Sequence, residues 1–339
     1  MTEPAGDLPE IANRASALVG WPVRSVLPLR RGGNNRVFQL VGDGQRALLK
    51  FYDAPEAGRQ DRLSQEYAAL KFLAGLGFDE VARPIGVDPE RRCAVYEWID
   101  GVAPHGAAAA EVDVMADFFI RLQQVRERDG ASTLVGASAH CFSPAMVAEQ
   151  VEARLGRLVS AISPGTDVAA FVADSLRPAA SLAVVRLRTG CEAAGISFAE
   201  PLSPRLRALS PSDFGFHNAL RRPNGRLAFV DFEYFGWDDP AKAIADVMLH
   251  PGMSLTEPLG HRYRARVEQA LRASDTGLSR RLDLFLPAMV VLWCLILLNE
   301  FLPERWTRRV LAGVADERDV VQARQLDKAR QLLAQRFVW

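Results

Sequence analysis

The hydrophobic pattern changes once along this chain, and that change limits what it can fold into. Before Gly101 apolar residues come in short, turn-bounded runs; beyond it they recur at helical spacing over long stretches. Runs at 26–31, 37–41 and 47–52 are separated by Gly32-Gly33-Asn34-Asn35 and by Gly42-Asp43-Gly44, which predicts an antiparallel meander. A helix over 59–74 and two more strands, 84–87 and 93–98, follow. Helical segments then run over 112–128, 144–162 and 168–193 and again from 262 onward, interrupted by a strand-rich island at 208–235. Strands first and helices later predict an α+β chain in two lobes, residues 1–96 and 105–339, joined by 97–104.

Composition narrows the function classes. The 41 basic and 41 acidic side chains cancel, so neither a disordered tail protein nor a strongly basic nucleic-acid binder fits. Cys93, Cys141, Cys191 and Cys294 lie far apart, which predicts reduced thiols in a cytoplasmic protein. The N-terminus has neither the basic start nor the apolar stretch of a signal peptide. Segment 284–298 is free of charge but contains Pro287 and is shorter than the roughly 20 residues of a span, so it reads as a buried core helix with no membrane partner.

Four local signals carry chemistry. The Gly32-Gly33-Asn34-Asn35 loop joins two predicted strands and could bring backbone N–H groups against phosphate oxygens; the plainer reading is a hairpin turn. Lys50 shares a strand face with Leu48, and Glu66 sits in the stripe Leu63, Leu70, Leu73 of the predicted helix. A carboxylate on an apolar face needs a cation; Lys50 can supply it and be held towards nucleotide phosphates, or Arg62 can bridge locally at i, i+4. In Ser210-Pro211-Ser212-Asp213-Phe214-Gly215-Phe216-His217-Asn218, Asp213 could orient a substrate hydroxyl and accept its proton. Asn218 suits a hard cation such as Mg²⁺, and the alternative is an Asx-type turn. Last, the strand ending at Val230 delivers Asp231 as a natural metal ligand, with Glu233 a weaker candidate. Asp239-Pro240 reads as a helix N-cap followed by Pro at the first helical position, and His217 as a packing residue.

In order, these pieces resemble the aminoglycoside phosphotransferase and choline-kinase-like family, small-molecule relatives of the protein kinases. The resemblance rests on the Gly32-Gly33-Asn34-Asn35 loop, Lys50, Glu66, the hinge Val95-Tyr96-Glu97-Trp98-Ile99-Asp100-Gly101, the D-x-x-x-x-N run from Asp213 to Asn218, and Val230-Asp231-Phe232-Glu233. It implies a bilobal protein-kinase-like fold, with an antiparallel sheet lobe carrying one main helix and a larger, mostly helical C-terminal lobe. It also implies an ATP-dependent kinase acting on a small hydroxyl-bearing acceptor, such as a sugar, amino alcohol or aminoglycoside-like compound. Lys50 would contact the α- and β-phosphates, the Gly-rich loop would cover them, and hinge groups near Glu97 and Trp98 would read adenine. Asn218 and Asp231 would hold Mg²⁺, and Asp213 would position and deprotonate the hydroxyl. The alternative is a nucleotide-binding pseudokinase with a sensing or scaffolding role.

The family usually carries His-Gly immediately before the catalytic Asp; here Pro211 and Ser212 stand there. Its acid three residues after the Asp-Pro proline is Ala243, with Asp246 a further three along. Glu300, with Asn299, either reaches the acceptor pocket or simply ends the apolar stretch at solvent.

Overall fold

In a computed structural model of the chain, residues 8–29, 35–55, 60–104, 106–253, 255–311 and 317–338 are described. After helix α1 (Leu8–Val19), the period-2 runs form strands β1 (Ser25–Leu29), β2 (Arg36–Val41) and β3 (Arg46–Phe51). Helix α2 (Arg62–Gly75) follows, capped by Asp61, and then β4 (Pro84–Asp88) and β5 (Cys93–Glu97). The strands make one antiparallel sheet in the order β1-β2-β3-β5-β4. The meander expected of the first three runs is therefore formed. The α2 crossover carries β4 to the far edge, and β5 returns between β4 and β3.

Alternation along β3 divides its side chains between two cores. Ala47 and Leu49 pack with Val26, Leu40, Cys93 and Val95 against α1. Leu48 belongs to the opposite core, with Leu63, Leu70 and Leu73 of α2, and Lys50 takes its place on that same face by the two-residue period.

The remainder is mostly helical. Helices α3 (Ala109–Gln124) and α4 (Pro144–Ala161) are followed by α5 (Asp167–Phe171) and α6 (Arg177–Ala193), which a π-turn joins at Val172–Leu176. Short strands β6 (Ala208–Ser210), β7 (Ala219–Arg221), β8 (Leu227–Phe229) and β9 (Gly236–Asp238) form two antiparallel pairs, β6 with β9 and β7 with β8. Then come α7 (Pro240–Leu249), α8 (Glu257–Leu271), α9 (Leu278–Leu297), α10 (Pro303–Leu311) and α11 (Arg318–Arg336). Apolar on nearly every side, α9 is largely buried against α4, α6, α7 and α11, as expected of a central core helix.

Two backbone links tie the segments flanking the sheet to the short strands. Val102 and Arg221 exchange N–H···O=C bonds of 3.0 and 2.8 Å, and a Cβ at Gly101 would stand 2.9 Å from the Arg221 carbonyl oxygen. Phe229 N–H donates to Glu80 O at 2.7 Å. Beneath them Phe118 of α3 packs on Phe214, Phe229 and Phe232, with ring centroids 5.6, 4.6 and 6.3 Å away. One buried ring thus supports both segments that bear the candidate acids. Truncating such a ring to Ala costs about 3–5 kcal/mol.

Candidate active site

Lys50 lies at the centre of a nest of carboxylates. Its Nζ stands 2.7 Å from Glu66 Oε2, 2.5 Å from Asp231 Oδ1 and 3.2 Å from Glu233 Oε2. Glu66 also accepts from the Tyr52 hydroxyl at 2.6 Å and from Phe232 N–H at 3.0 Å. The local Arg62–Glu66 bridge is not formed. Arg62 reaches Glu233 at 3.3 Å and lies over the Tyr234 ring. Asn35 Nδ2 donates to Glu233 as well, tying the end of the first loop to a segment 198 residues away. Gly32, Gly33 and Asn34 lie outside the described residues.

Charge in this nest is unbalanced. Three carboxylates, Glu66, Asp231 and Glu233, face two cations, Lys50 and Arg62. Burial alone would lower the Lys50 ammonium, but Asp231, Glu66 and Glu233 outweigh it and hold the pKa well above the ordinary value. Burial pushes the Asp231 carboxyl up to about 7, with Glu233 and Glu66 adding to it against Lys50. Glu233 goes the other way, its burial outweighed by Lys50, Arg62 and Asn35. Asp231 keeps 37% of its side-chain surface open where Glu66 keeps 4% and Glu233 1%, so it is the acid of the three that an incoming cation can meet. Its backbone is left-handed, φ +68°, a conformation that Asp tolerates and that recurs at functional sites.

The second cluster surrounds Asp213. Pairing of β6 with β9 and of β7 with β8 sets the ends of the loop that carries it. Asp213 N–H donates to Pro211 O at 2.9 Å across Ser212, whose φ is +67°, making a tight γ-turn. Asp213 Oδ1 accepts from His217 Nε2 and His250 Nε2, both at 3.0 Å. Burial would raise this carboxyl, but the two imidazoles prevail and hold it well below the usual carboxylate range. Burial likewise lowers His250. Asn218 Nδ2 donates to Asp213 O at 2.9 Å and reaches Oδ2 at 3.3 Å, which leaves the amide oxygen of Asn218 for another partner. Asn218 O also accepts Val230 N–H at 2.9 Å, so the strand pairing lays Asn218 beside the residue preceding Asp231.

Asp231 and Asn218 offer donors that fit a hard cation, where the trio Asp213, His217 and His250 does not. A carboxylate at Asp231 and an amide oxygen at Asn218, next to a nest with surplus negative charge, suit Mg²⁺. The trio Asp213, His217, His250 also brings three ligand atoms within reach of one another. Yet Gly252 N–H donates to His250 Nδ1 at 2.9 Å, so the ring proton sits on Nε2 and no lone pair is left there for a metal.

The remaining residues singled out in the sequence sit as follows. Glu97 N–H is taken by Arg83 O at 2.8 Å, and Trp98 Nε1–H donates to Asp100, which Arg46 grips through two bonds of 2.8 and 2.7 Å. Glu300 lies in a 3-10 turn after α9, its carbonyl accepting from Gln322, and belongs to neither cluster. Asp239 caps α7 through Ala241 N–H at 2.8 Å and is gripped by buried Arg281. Asp246 pairs with Lys242 at 2.7 Å and accepts from Trp293 Nε1 at 3.1 Å. The sequence alone does not point to His250. It lies 37 residues from Asp213, and only its place before Pro251 marks it as leaving a helix.

Comparisons with known proteins agree on the family. The chain is similar to choline kinase LicA from Streptococcus pneumoniae at 18% identity and TM-score 0.59, covering 96% of this chain and 98% of that one. Spectinomycin phosphotransferase APH(9)-Ia, solved with ADP and spectinomycin, matches at 13% identity and TM-score 0.63, covering 97% and 100%. A choline/ethanolamine kinase family protein from Mesorhizobium loti matches at 16% and 0.54, covering 95% and 94%. No curated protein sequence matches. A model of the phosphotransferase enzyme family matches residues 25–197, just over half the chain, a span that holds Lys50 and Glu66 and ends before Asp213. The chain therefore belongs to the phosphotransferase enzyme family, whose protein-kinase-like fold it shares with small-molecule kinases.

Proposed function

We propose that the protein is an ATP-dependent phosphotransferase that moves the γ-phosphate to a hydroxyl of a small molecule, with residues 1–96 binding nucleotide and 105–339 binding the acceptor. The observation that carries this reading is Lys50, held at 2.7 Å by Glu66 and at 2.5 Å from Asp231, three residues from distant segments meeting at one ammonium. Phosphoryl transfer needs positioned cations and a well-aimed carboxylate more than covalent help. Lys50, kept charged by its neighbours, meets the phosphates, and Asn35 fixes the end of the loop that covers them. Backbone groups of the hinge around Glu97 and Trp98, other than the Glu97 N–H already given to Arg83 O, would read adenine. Asn218 and Asp231 would hold Mg²⁺, which supplies neutralisation of charge on the transferring phosphate. Asp213 orients the acceptor hydroxyl and takes its proton, and the depressed basicity of its carboxylate makes orientation the larger part of that role. Solved relatives named for choline, ethanolamine and spectinomycin, crystallised in part with ADP or AMP, favour an alcohol or amino-alcohol acceptor.

The test is a thermal shift with Mg²⁺ and ATP, followed by ADP release over a panel of choline, ethanolamine, spectinomycin and simple sugars. Stabilisation by Mg·ATP and turnover of one panel class are expected. Asp213→Asn should cut that turnover about a thousandfold or more while ATP affinity stays within twofold. ATP binding with no turnover of any acceptor would move the protein to the nucleotide-sensing reading, and an active Asp213→Asn protein would refute the assignment of the base.

A further inference from the structure

We infer that His250 is a positioning residue of the Asp213 carboxylate, fixing together with His217 which of its oxygens meets the acceptor; this rests on the phosphotransferase reading above. The chain carries Pro211-Ser212 directly before Asp213, so no imidazole from that side steadies the loop. One imidazole comes from His217 within the loop and the other from the far end of α7.

The sequence dictates how it arrives. Pro251 disfavours helical geometry in the residue before it, and His250 has φ −62°, ψ 120°, where α7 stops. His250-Pro251-Gly252-Met253 closes a turn, with Met253 N–H donating to His250 O at 3.0 Å. Within that turn Gly252 N–H donates to His250 Nδ1 at 2.9 Å. The imidazole is thus the tautomer with its proton on Nε2, and that N–H is spent on Asp213 Oδ1 at 3.0 Å.

The ring is held on its other sides too. It stacks on His217 with centroids 4.0 Å apart and planes at 4°, and meets the Trp293 ring edge-on at 4.5 Å. Trp293 is itself anchored on Asp246 at 3.1 Å, Asp246 on Lys242 at 2.7 Å, and Lys242 on Asp238 at 3.0 Å. All four of these residues are buried. With Oδ1 occupied by two imidazoles, and Oδ2 touched only by the longer 3.3 Å contact from Asn218, Oδ2 is the oxygen left for an acceptor hydroxyl. A carboxylate free to rotate would divide its time between two orientations, and misplacement by about 1 Å can cost 100-fold in rate.

The experiment compares His250→Phe, which keeps the stacking and edge contacts but removes both nitrogens, with His250→Gln, whose amide N–H can stand near the position of Nε2. The readouts are ADP release from Mg·ATP with water as acceptor, the same with whichever panel acceptor is turned over, and the KM for ATP. His250→Phe is expected to lower kcat about 10- to 100-fold with KM for ATP within twofold, and His250→Gln to recover several-fold of that loss. If the Phe variant does not fold, His250→Asn, which withdraws the donor from Oδ1, is read in its place. A kcat within twofold of wild type overturns the inference, as does a loss of kcat matched by an equal loss of ATP affinity, which is what a merely structural role gives. An inactive Asp213→Asn beside a fully active His250→Phe removes this inference alone; an active Asp213→Asn removes the reading beneath it.

Discussion

Removing Glu66 separates the stability of the nest from its function. Glu66 receives Lys50 at 2.7 Å, the Tyr52 hydroxyl at 2.6 Å and Phe232 N–H at 3.0 Å while almost fully buried. In Glu66→Ala, Tyr52 keeps Tyr96 at 2.7 Å, and Lys50 keeps Asp231 and Glu233, so no buried charge is orphaned. Phe232 N–H does lose its acceptor, and that desolvated donor alone costs about 1–3 kcal/mol. Breaking a buried ion pair costs about 3–5 kcal/mol, and the two carboxylates left to Lys50 put this variant at the low end, about 3 kcal/mol. With an unfolding entropy of roughly 0.7 kcal/mol/K for a chain of 339 residues, the thermal midpoint should fall by about 4 °C.

The functional loss in that variant has a different cause. Without Glu66, Lys50 is drawn onto Asp231 and Glu233 and occupies the carboxylate proposed to hold the cation. We expect kcat/KM for ATP to fall about 100-fold, measured as ADP release. Glu66→Gln sharpens the test, because its amide oxygen can still accept Phe232 N–H while its NH₂ repels the ammonium. It should lose less stability, about 1 kcal/mol, and nearly as much activity. A Gln variant with wild-type kcat/KM would refute the anchoring role of Glu66. An Ala variant with an unchanged midpoint would refute the accounting of its three bonds.

Asp231→Asn removes one of three crowded carboxylates, so without Mg²⁺ its thermal midpoint should equal or exceed that of the wild type. The same variant should lose the additional stabilisation given by Mg·ATP, and chelating Mg²⁺ should bring the wild type to the same level; a midpoint several degrees lower in calorimetry would refute the crowding argument. Arg281→Met leaves Asp239 and Asp275 buried without their shared cation, which should cost about 3–5 kcal/mol in denaturant unfolding, and a loss under 1 kcal/mol would contradict the burial of this pair.

Lys50 and Glu66 were legible because two periods, 2 on the strand and 3.6 on the helix, each put a charge on an apolar face, and a buried charge must be met. The competing Arg62 bridge could not be dismissed from spacing, since what draws Arg62 away is Glu233, 171 residues on. The order of the sheet was not legible either. Each strand announces itself by local alternation, but nothing local says that β5 comes back inside β4. Asp239 was readable as a cap because capping is a contact within two residues. His250 was not, because its significance lies wholly in where α7 ends relative to Asp213.

Ser212 shows how a departure from the family can be tolerated, and it yields the last prediction. The family places Gly there, and the backbone at Ser212 has φ +67°, a conformation that costs a residue with a Cβ about 1–2 kcal/mol. Two bonds offset that strain: Ser212 N–H donates to Ser210 Oγ at 3.0 Å, and Ser212 Oγ donates to Ser138 O at 3.3 Å. Ser212→Ala keeps the strain and loses the hydroxyl bond, so it should be destabilised by about 1 kcal/mol. Ser212→Gly loses the same bond but relaxes the backbone; even after the greater freedom of Gly in the unfolded chain, it should be more stable than the Ala variant by about 1 kcal/mol. The difference between the two in urea unfolding therefore isolates the strain. If Gly proves no more stable than Ala, the turn before Asp213 is not strained, and the Ser212 hydroxyl is needed for some other reason.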